Sequence, residues 1–325
     1  MRDMPKPHDD AIQTKKSVYE ILEVLGTGAF GAVFRVRRLN DDKELAMKCE
    51  SCKAVKQILK HEAKVFESLR HLQSPHFITL QDRGKVADRF IFVILKLVGR
   101  NLWDLRVSTP EHKFSMVTSI RAAEQTLAGI RDFHSCDYIH RDIKPPNFAV
   151  GREEDGDQHT IYIIDFGLSR RFRTEDKDLR NQRVKVAFRG TTRYSSISAL
   201  QLKEQSRKDD LEAWWYMVLE WMTGELPWKH VKGNREEVLR RKKELRKEEN
   251  LKEALKETPH EYMAGIILYI DTLDYASIPD YDYIAAQLDA SMEAYHLRYA
   301  DPPDWDLMAT YLGPRYEKHP TYPAR

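Results

Sequence analysis

The stretch DLEAWWYMVLEWMTG, Asp210 to Gly224, is apolar on nearly every side when wound as a helix. A surface helix carries an apolar stripe opposite a polar face, so a helix without a polar face belongs in an interior. This segment therefore demands a large, mainly helical lobe around it. A chain of 325 residues can supply one, because chains of that size bury about 75% of their extended surface. Upstream, Val117, Ile120, Ala123, Leu127 and Ile130 recur on one face of a second long helix.

The first third of the chain follows another period. YEILEVLG, AVFRVRRL and ELAMKCE alternate apolar with polar residues and are separated by Gly or Asn-Asp turns, as antiparallel strands should be. AVKQILKHEAKVFESLRHL then reads as a helix, with Ile58, Glu62, Val65, Phe66 and Leu69 at helical spacing. FITLQDRGKVADRFIFVILKLV reads as two more strands joined by a turn. Five strands and one helix thus form a small lobe over 18–98, and a larger helical lobe follows over 99–300. Residues 1–17, polar and proline-containing, are expected to form a mobile leader, and 301–325 a C-terminal extension. No internal repeat is apparent.

Net charge is +2 although 32% of residues are charged, a mixed surface that does not suggest a nucleic-acid partner. The apolar run Phe90 to Leu95 is too short to span a bilayer, and MRDMPKPHDD lacks the apolar core of a secretory signal. Cys49, Cys52 and Cys136 make no disulfide framework, which points to a reducing, cytoplasmic setting. Cys49 and Cys52 form a C-x-x-C without the further ligands a zinc site requires. Lys229 to Glu257 alternates charge signs and reads as a solvated helical surface. Within it, Arg240-Arg241-Lys242-Lys243 is the run that could direct nuclear import.

The residues able to carry chemistry fall in four places. Gly26, Gly28 and Gly31 make a G-x-G-x-x-G that dinucleotide-binding folds also use, but there a helix follows and here a strand does. A glycine-rich hairpin lets backbone approach phosphates closely; it is also compatible with an ordinary flexible turn. Lys48 ends a strand and could meet phosphate oxygens if Glu62 held it, or the two could be unrelated surface charges. In YIHRDIKPPNFAV, Asp142 could accept a hydroxyl proton, Lys144 could offset charge on a transferring group, and Asn147 offers a neutral oxygen suited to Mg²⁺. In IYIIDFGLS, Asp165 follows an apolar strand and could bridge a metal to phosphates. Each has a bland alternative; their joint order and spacing do not.

With G-x-G-x-x-G-x-V, the lysine of A-M-K, H-R-D-I-K-x-x-N and D-F-G in this order, the chain resembles the eukaryotic protein kinases over about Tyr19 to Ala300. The resemblance implies the bilobal α+β kinase fold, with a small β-rich N-lobe carrying one main helix and a larger, mainly helical C-lobe. ATP and Mg²⁺ would lie between the lobes. It assigns Lys48 to the phosphates, Glu62 to its ion pair, Asp142 to the base role with Lys144 beside it, and Asn147 and Asp165 to the metals. Leu25, Gly26, Thr27, Gly28, Ala29, Phe30, Gly31, Val33, Ala46, Leu95 and Leu97 would line the nucleotide, and Asp210 would brace the catalytic loop. Its partners would be proteins bearing Ser or Thr hydroxyls, with the kinase a monomer that needs neither nucleic acid nor membrane. A pseudokinase that binds ATP or serves as a scaffold is the competing reading. None of Lys48, Asp142, Asn147 or Asp165 is missing, which favours catalysis.

No A-P-E ends the activation segment; FRGTTRYSSISAL stands there, similar to the casein kinase 1 group, whose Ser-Ile-Asn element appears here as Ser196-Ile197-Ser198. NFAVGR and FRGT resemble the tau-tubulin kinase branch more than casein kinase 1 proper. That group favours acidic or already phosphorylated substrates, which implies an anion site at Arg189 and Arg193. It also implies activity without an upstream kinase, although Arg141 needs its charge satisfied in the folded loop. Lys96 stands in the inter-lobe linker where an acidic residue is common.

Overall fold

A computed structural model describes residues 3–8, 11–28, 31–231 and 233–306. The N-lobe is a six-stranded antiparallel sheet of β1 (Ala11–Gln13), β2 (Val18–Gly28), β3 (Gly31–Arg38), β4 (Lys43–Ser51), β5 (Leu80–Val86) and β6 (Phe90–Lys96), in the order β1-β2-β3-β4-β6-β5. Strand alternation divides its faces. Phe34, Val36, Leu45, Met47 and Ile94 are buried in a core of the sheet's own. Val33, Ala46 and Lys48 point the other way, and Val93 and Leu95 join the main core of the C-lobe.

One expectation is corrected here. Part of the supposed leader, Ala11–Gln13, pairs with β2, and the lobe has six strands where the sequence suggested five. Ile12 is buried, and Thr14 Oγ1 and Tyr19 OH both donate to Asp82 Oδ2, at 2.7 and 3.0 Å. An apolar side chain and a shared buried carboxylate outweigh the polar composition around them.

The helix α1 (Ile58–Leu69) packs Leu59, Val65, Phe66 and Leu69 inward. It begins at Ile58, where Glu50, at the end of β4, accepts the N–H groups of Ile58 and Leu59 at 2.9 and 3.2 Å. Free amides at a helix N-terminus favour such a carboxylate, and this one ties α1 to the strand that carries Lys48.

In the C-lobe, α2 (Leu102–Val107) and α3 (Met116–Ser135) lead to two short ribbons. The strand β7 (Tyr138–Ile139) pairs with β10 (Arg170–Arg171), and β8 (Phe148–Val150) pairs with β9 (Ile161–Ile163). The loop bearing Asp142 and Asn147 therefore runs alongside the one bearing Asp165. Ile164 N donates to Asn147 O at 3.0 Å and stitches the two together. After α4 (Ile197–Leu200), α5 (Arg207–Thr223) is the interior helix demanded by the sequence: every residue from Asp209 to Met222 is buried. Two of its buried indoles find acceptors; Trp214 donates to Thr126 Oγ1 and Trp215 to Met263 O, both at 2.9 Å. The C-lobe continues with α6 (Arg235–Leu245), α7 (Glu248–Ala254), α8 (His260–Asp271) and α9 (Tyr281–Ala294).

The charged run over α6 and α7 is not solvated throughout. Lys242 is fully buried, and Val238, Leu245 and Leu251 are buried too. A reader of Arg240-Arg241-Lys242-Lys243 as a linear import element would have to unfold α6 to reach Lys242. No described helix is long and apolar enough to cross a membrane.

Candidate active site

Lys48 Nζ lies 2.6 Å from Glu62 Oε2 and 3.6 Å from Asp165 Oδ1. Glu62 is wholly buried, and its other oxygen accepts the N–H of Phe166 at 3.0 Å. One carboxylate on α1 thus fixes both the strand lysine and the D-F-G segment. Burial opposes the charge on Lys48, but Glu62 and then Asp165 outweigh it and raise its pKa above the ordinary value. Burial also works against the Asp165 anion, yet Lys48 and the Gly167 N–H pull that carboxyl down to about 2. Phe166 is fully buried, stacked on Phe133 at 5.0 Å and edge-on to Phe66 at 5.2 Å, which anchors Asp165 to both lobes.

Across the cleft, Asp142 Oδ2 pairs with Lys144 Nζ at 2.7 Å. Its Oδ1 accepts the Thr191 hydroxyl at 2.8 Å, and its carbonyl accepts Asn147 Nδ2 at 2.8 Å. The loop is braced from below as the family pattern implies. Asp210 accepts the backbone N–H of His140 at 2.7 Å, that of Arg141 at 2.8 Å, and His134 Nε2 at 2.8 Å. Arg141 holds a left-handed φ of 67°, a costly conformation for a residue with a Cβ. The Asp210 bonds keep it there.

The glycine hairpin connects β2 to β3 with Gly28 opposite Gly31; Ala29 and Phe30 lie outside the described residues. A Cβ on Gly31 would fall 1.8 Å from the carbonyl oxygen of Cys49, so only glycine fits against β4. A Cβ on Gly26 or Gly28 would meet nothing within 4 Å among the described residues, which leaves room above the cleft for phosphates. Leu25 and Thr27 are exposed on the hairpin, Val33 and Ala46 are half-buried beneath it, and Leu95 and Leu97 are buried at the rear. The oxygen donors Asp165 and Asn147, with Lys48 nearby, suit a hard cation and phosphate together. Lys96 finds its counter-charges in the C-lobe, at Asp155 (2.8 Å) and Asp157 (3.1 Å), beside the nucleotide site and not in it.

Arg189 and Arg193 stand in different surroundings. Arg193 pairs with the buried Glu220 and lies over the Trp103 ring at 5.6 Å. Its charge is already used. Arg189 instead lines a cavity of about 380 Å³ with Lys56, His61, Arg141, Arg170 and Arg183. Arg183 and Arg170 lean on one carboxylate, Glu204, the latter at 3.8 Å. Arg141 donates Nε to Leu168 O at 2.8 Å; burial, with Arg189 and Arg170 close by, lowers its pKa to about 10. Lys185 is exposed outside this lining. Sequence reasoning missed Thr191 and this cluster; the density of arginines from Arg170 to Arg193 was the available signal.

Ser196 donates to Asp209 Oδ1 at 2.6 Å and caps α4 through the Ala199 N–H, while Glu212 of α5 accepts the Ile197 N–H at 3.0 Å. Two carboxylates of the interior helix thereby hold the end of the activation segment.

Residues 19–276 match the family described as the protein kinase domain. The chain is 29% identical over 292 residues to a probable serine/threonine-protein kinase of Dictyostelium discoideum, covering 90% of this chain and 57% of that one. It is 31% identical over 317 residues to the serine/threonine-protein kinase spe-6 of Caenorhabditis elegans, covering 94% and 82%. A probable casein kinase I homologue of Encephalitozoon cuniculi is 30% identical over 291 residues, covering 88% and 92%.

Proposed function

Because this chain belongs to the eukaryotic protein kinase family, as a serine/threonine kinase of the casein kinase 1 group, we propose that it transfers the γ-phosphoryl group of Mg-ATP to Ser and Thr hydroxyls of protein substrates, favouring substrates that carry an acidic or phosphorylated residue. The observation that carries the first half is the convergence of Lys48, Glu62 and Asp165 on one wall of the cleft with Asp142, Lys144 and Asn147 on the other. Bound Mg-ATP supplies the phosphoryl group and an electrophilic metal; Asn147 and Asp165 would hold the metal and Lys48 the phosphates. Asp142, fixed on three sides, orients the acceptor hydroxyl and takes its proton. Lys144, beside it, offsets negative charge as the hydroxyl attacks.

The arginine-lined cavity supports the second half, since guanidinium groups recognise phosphate through paired donors. Glu204 covers only part of that charge, and Arg141 has no carboxylate partner within bonding distance among the described contacts. Thr191, already on Asp142, supports activity without a prior phosphorylation. Phosphatase-treated recombinant protein that is silent until another kinase acts on it would overturn that part.

The test is transfer to matched serine peptides with and without phosphoserine three residues upstream, by wild type, Arg170→Gln and Arg189→Gln. Wild type should prefer the primed peptide, and each variant should lose about 10-fold or more of that preference, the worth of one charge-assisted bond. Equal use of both peptides by wild type would overturn the preference while leaving the kinase.

A further inference from the structure

Lys242 has no place in the nucleotide site or in the arginine-lined cavity, yet it is fully buried. Its ammonium end sits 4.2 Å from the Tyr216 ring centroid and 4.8 Å from that of Trp228. It donates to Ser195 O at 2.5 Å and to Thr192 O at 3.4 Å. Trp228 Nε1 takes the carbonyl between them, Arg193 O, at 2.7 Å. Three carbonyls of the 192–195 backbone are thus held from beneath by two side chains of the lower lobe.

A buried lysine without a carboxylate in direct contact is costly. Burial pushes its amine well below the ordinary lysine value, with Glu212 working the other way and Arg246 adding to the fall. Such a group persists where its donors serve a purpose, and here they fill carbonyls that would otherwise be unpaired. The loop they hold is the one that reaches the reaction centre. Thr191 O accepts the N–H groups of Tyr194 and Ser195 and the Ser195 hydroxyl, all at 3.0 Å. The Thr191 hydroxyl touches both Asp142 and Lys144.

We propose that Lys242 is a positioning residue for the acceptor substrate: from α6 it clamps the carbonyls of Thr192 and Ser195 so that Thr191 and the adjoining loop present the substrate hydroxyl to Asp142. The inference rests on the protein-kinase reading above. The clamp leaves the nucleotide side alone, because Lys48, Glu62 and Asp165 are held by other elements.

Lys242→Met keeps length and bulk but removes both donors. With an unprimed serine peptide it should lower kcat/KM by roughly 10–100-fold, the scale of a small misplacement of reacting groups, chiefly by raising the peptide KM, with the KM for ATP unchanged. Unchanged peptide kinetics would overturn the proposal. If Lys242→Met does not bind nucleotide, Trp228→Phe decides, since it removes one donor to the same loop and keeps a ring against Lys242. A selective rise in peptide KM there supports the clamp, and an unchanged peptide KM overturns it. Failure of the wild type to phosphorylate any peptide would instead strike the kinase reading, so the two failures are distinguishable.

Discussion

Thr191 donates its hydroxyl to Asp142 Oδ1 at 2.8 Å and accepts Lys144 Nζ at 3.2 Å, so one side chain of the activation segment bridges two residues of the catalytic loop. Thr191→Val keeps the shape and removes this bridge. Its kcat toward a serine peptide should fall by about 10–100-fold with the KM for ATP unchanged. A variant with wild-type kcat would show that Asp142 is oriented without Thr191.

Lys48 and Glu62 form a pair in which only the lysine reaches solvent. Lys48→Met leaves Glu62 buried without its cation, so both thermal stability and phosphoryl transfer should drop, transfer by about 10²-fold or more. Adding Glu62→Gln removes the stranded carboxylate and should recover melting temperature without recovering turnover. Recovery of both would mean that Lys48 acts only through the fold.

Arg189 and Arg193 should separate in their effects. Arg193→Gln strips a partner from buried Glu220, leaving it Arg106 at 3.6 Å and the Tyr194 hydroxyl at 2.5 Å, and should lower the melting temperature. Arg189→Gln should leave melting nearly unchanged and alter the primed-peptide preference. The reverse pattern, read by thermal scans and peptide kinetics side by side, would restore Arg193 to the anion site.

Burial lowers the pKa of His61, His76 and His134 below the ordinary 6.5, in the last case against the pull of Asp210. The unfolded chain therefore binds more protons than the folded one in mildly acid solution. The contribution of these groups is complete above pH 6.5 and is lost as pH falls through their lowered folded values. Melting temperature should decline from about pH 6.5 to pH 5. A flat profile across that window would contradict the assignment of neutral buried imidazoles.

What was legible in the sequence follows from range. Asp142, Lys144 and Asn147 share one short loop, so their spacing grouped them, whereas Lys48 and Glu62 sit on a strand and the helix after it and were paired only through the family resemblance. Asp210 was readable only through the family resemblance, as an aspartate in the first turns of a helix with no polar face. Arg193 could not be placed this way, since its partner Glu220 comes from α5 and the same residue type at neighbouring positions looks alike in sequence. Lys242 was hidden for a similar reason: a lysine in a run of alternating charges looks solvated until Tyr216 and Trp228 are seen to close over it. Ile12 was passed over because one apolar residue in a polar leader carries no periodicity, while its burial depends on pairing with β2. The likeness to the tau-tubulin branch rests on NFAVGR and FRGT alone.

The central claim is that Asp142 works in a complete phosphotransfer site. Its most direct test is transfer of labelled γ-phosphate from Mg-ATP to a serine peptide by wild type and Asp142→Ala, with nucleotide affinity measured for both. Wild type should transfer label, and the variant should be slower by about 10²–10⁴-fold while binding ATP as before. Equal rates, or a wild type that binds ATP and transfers nothing, would contradict it.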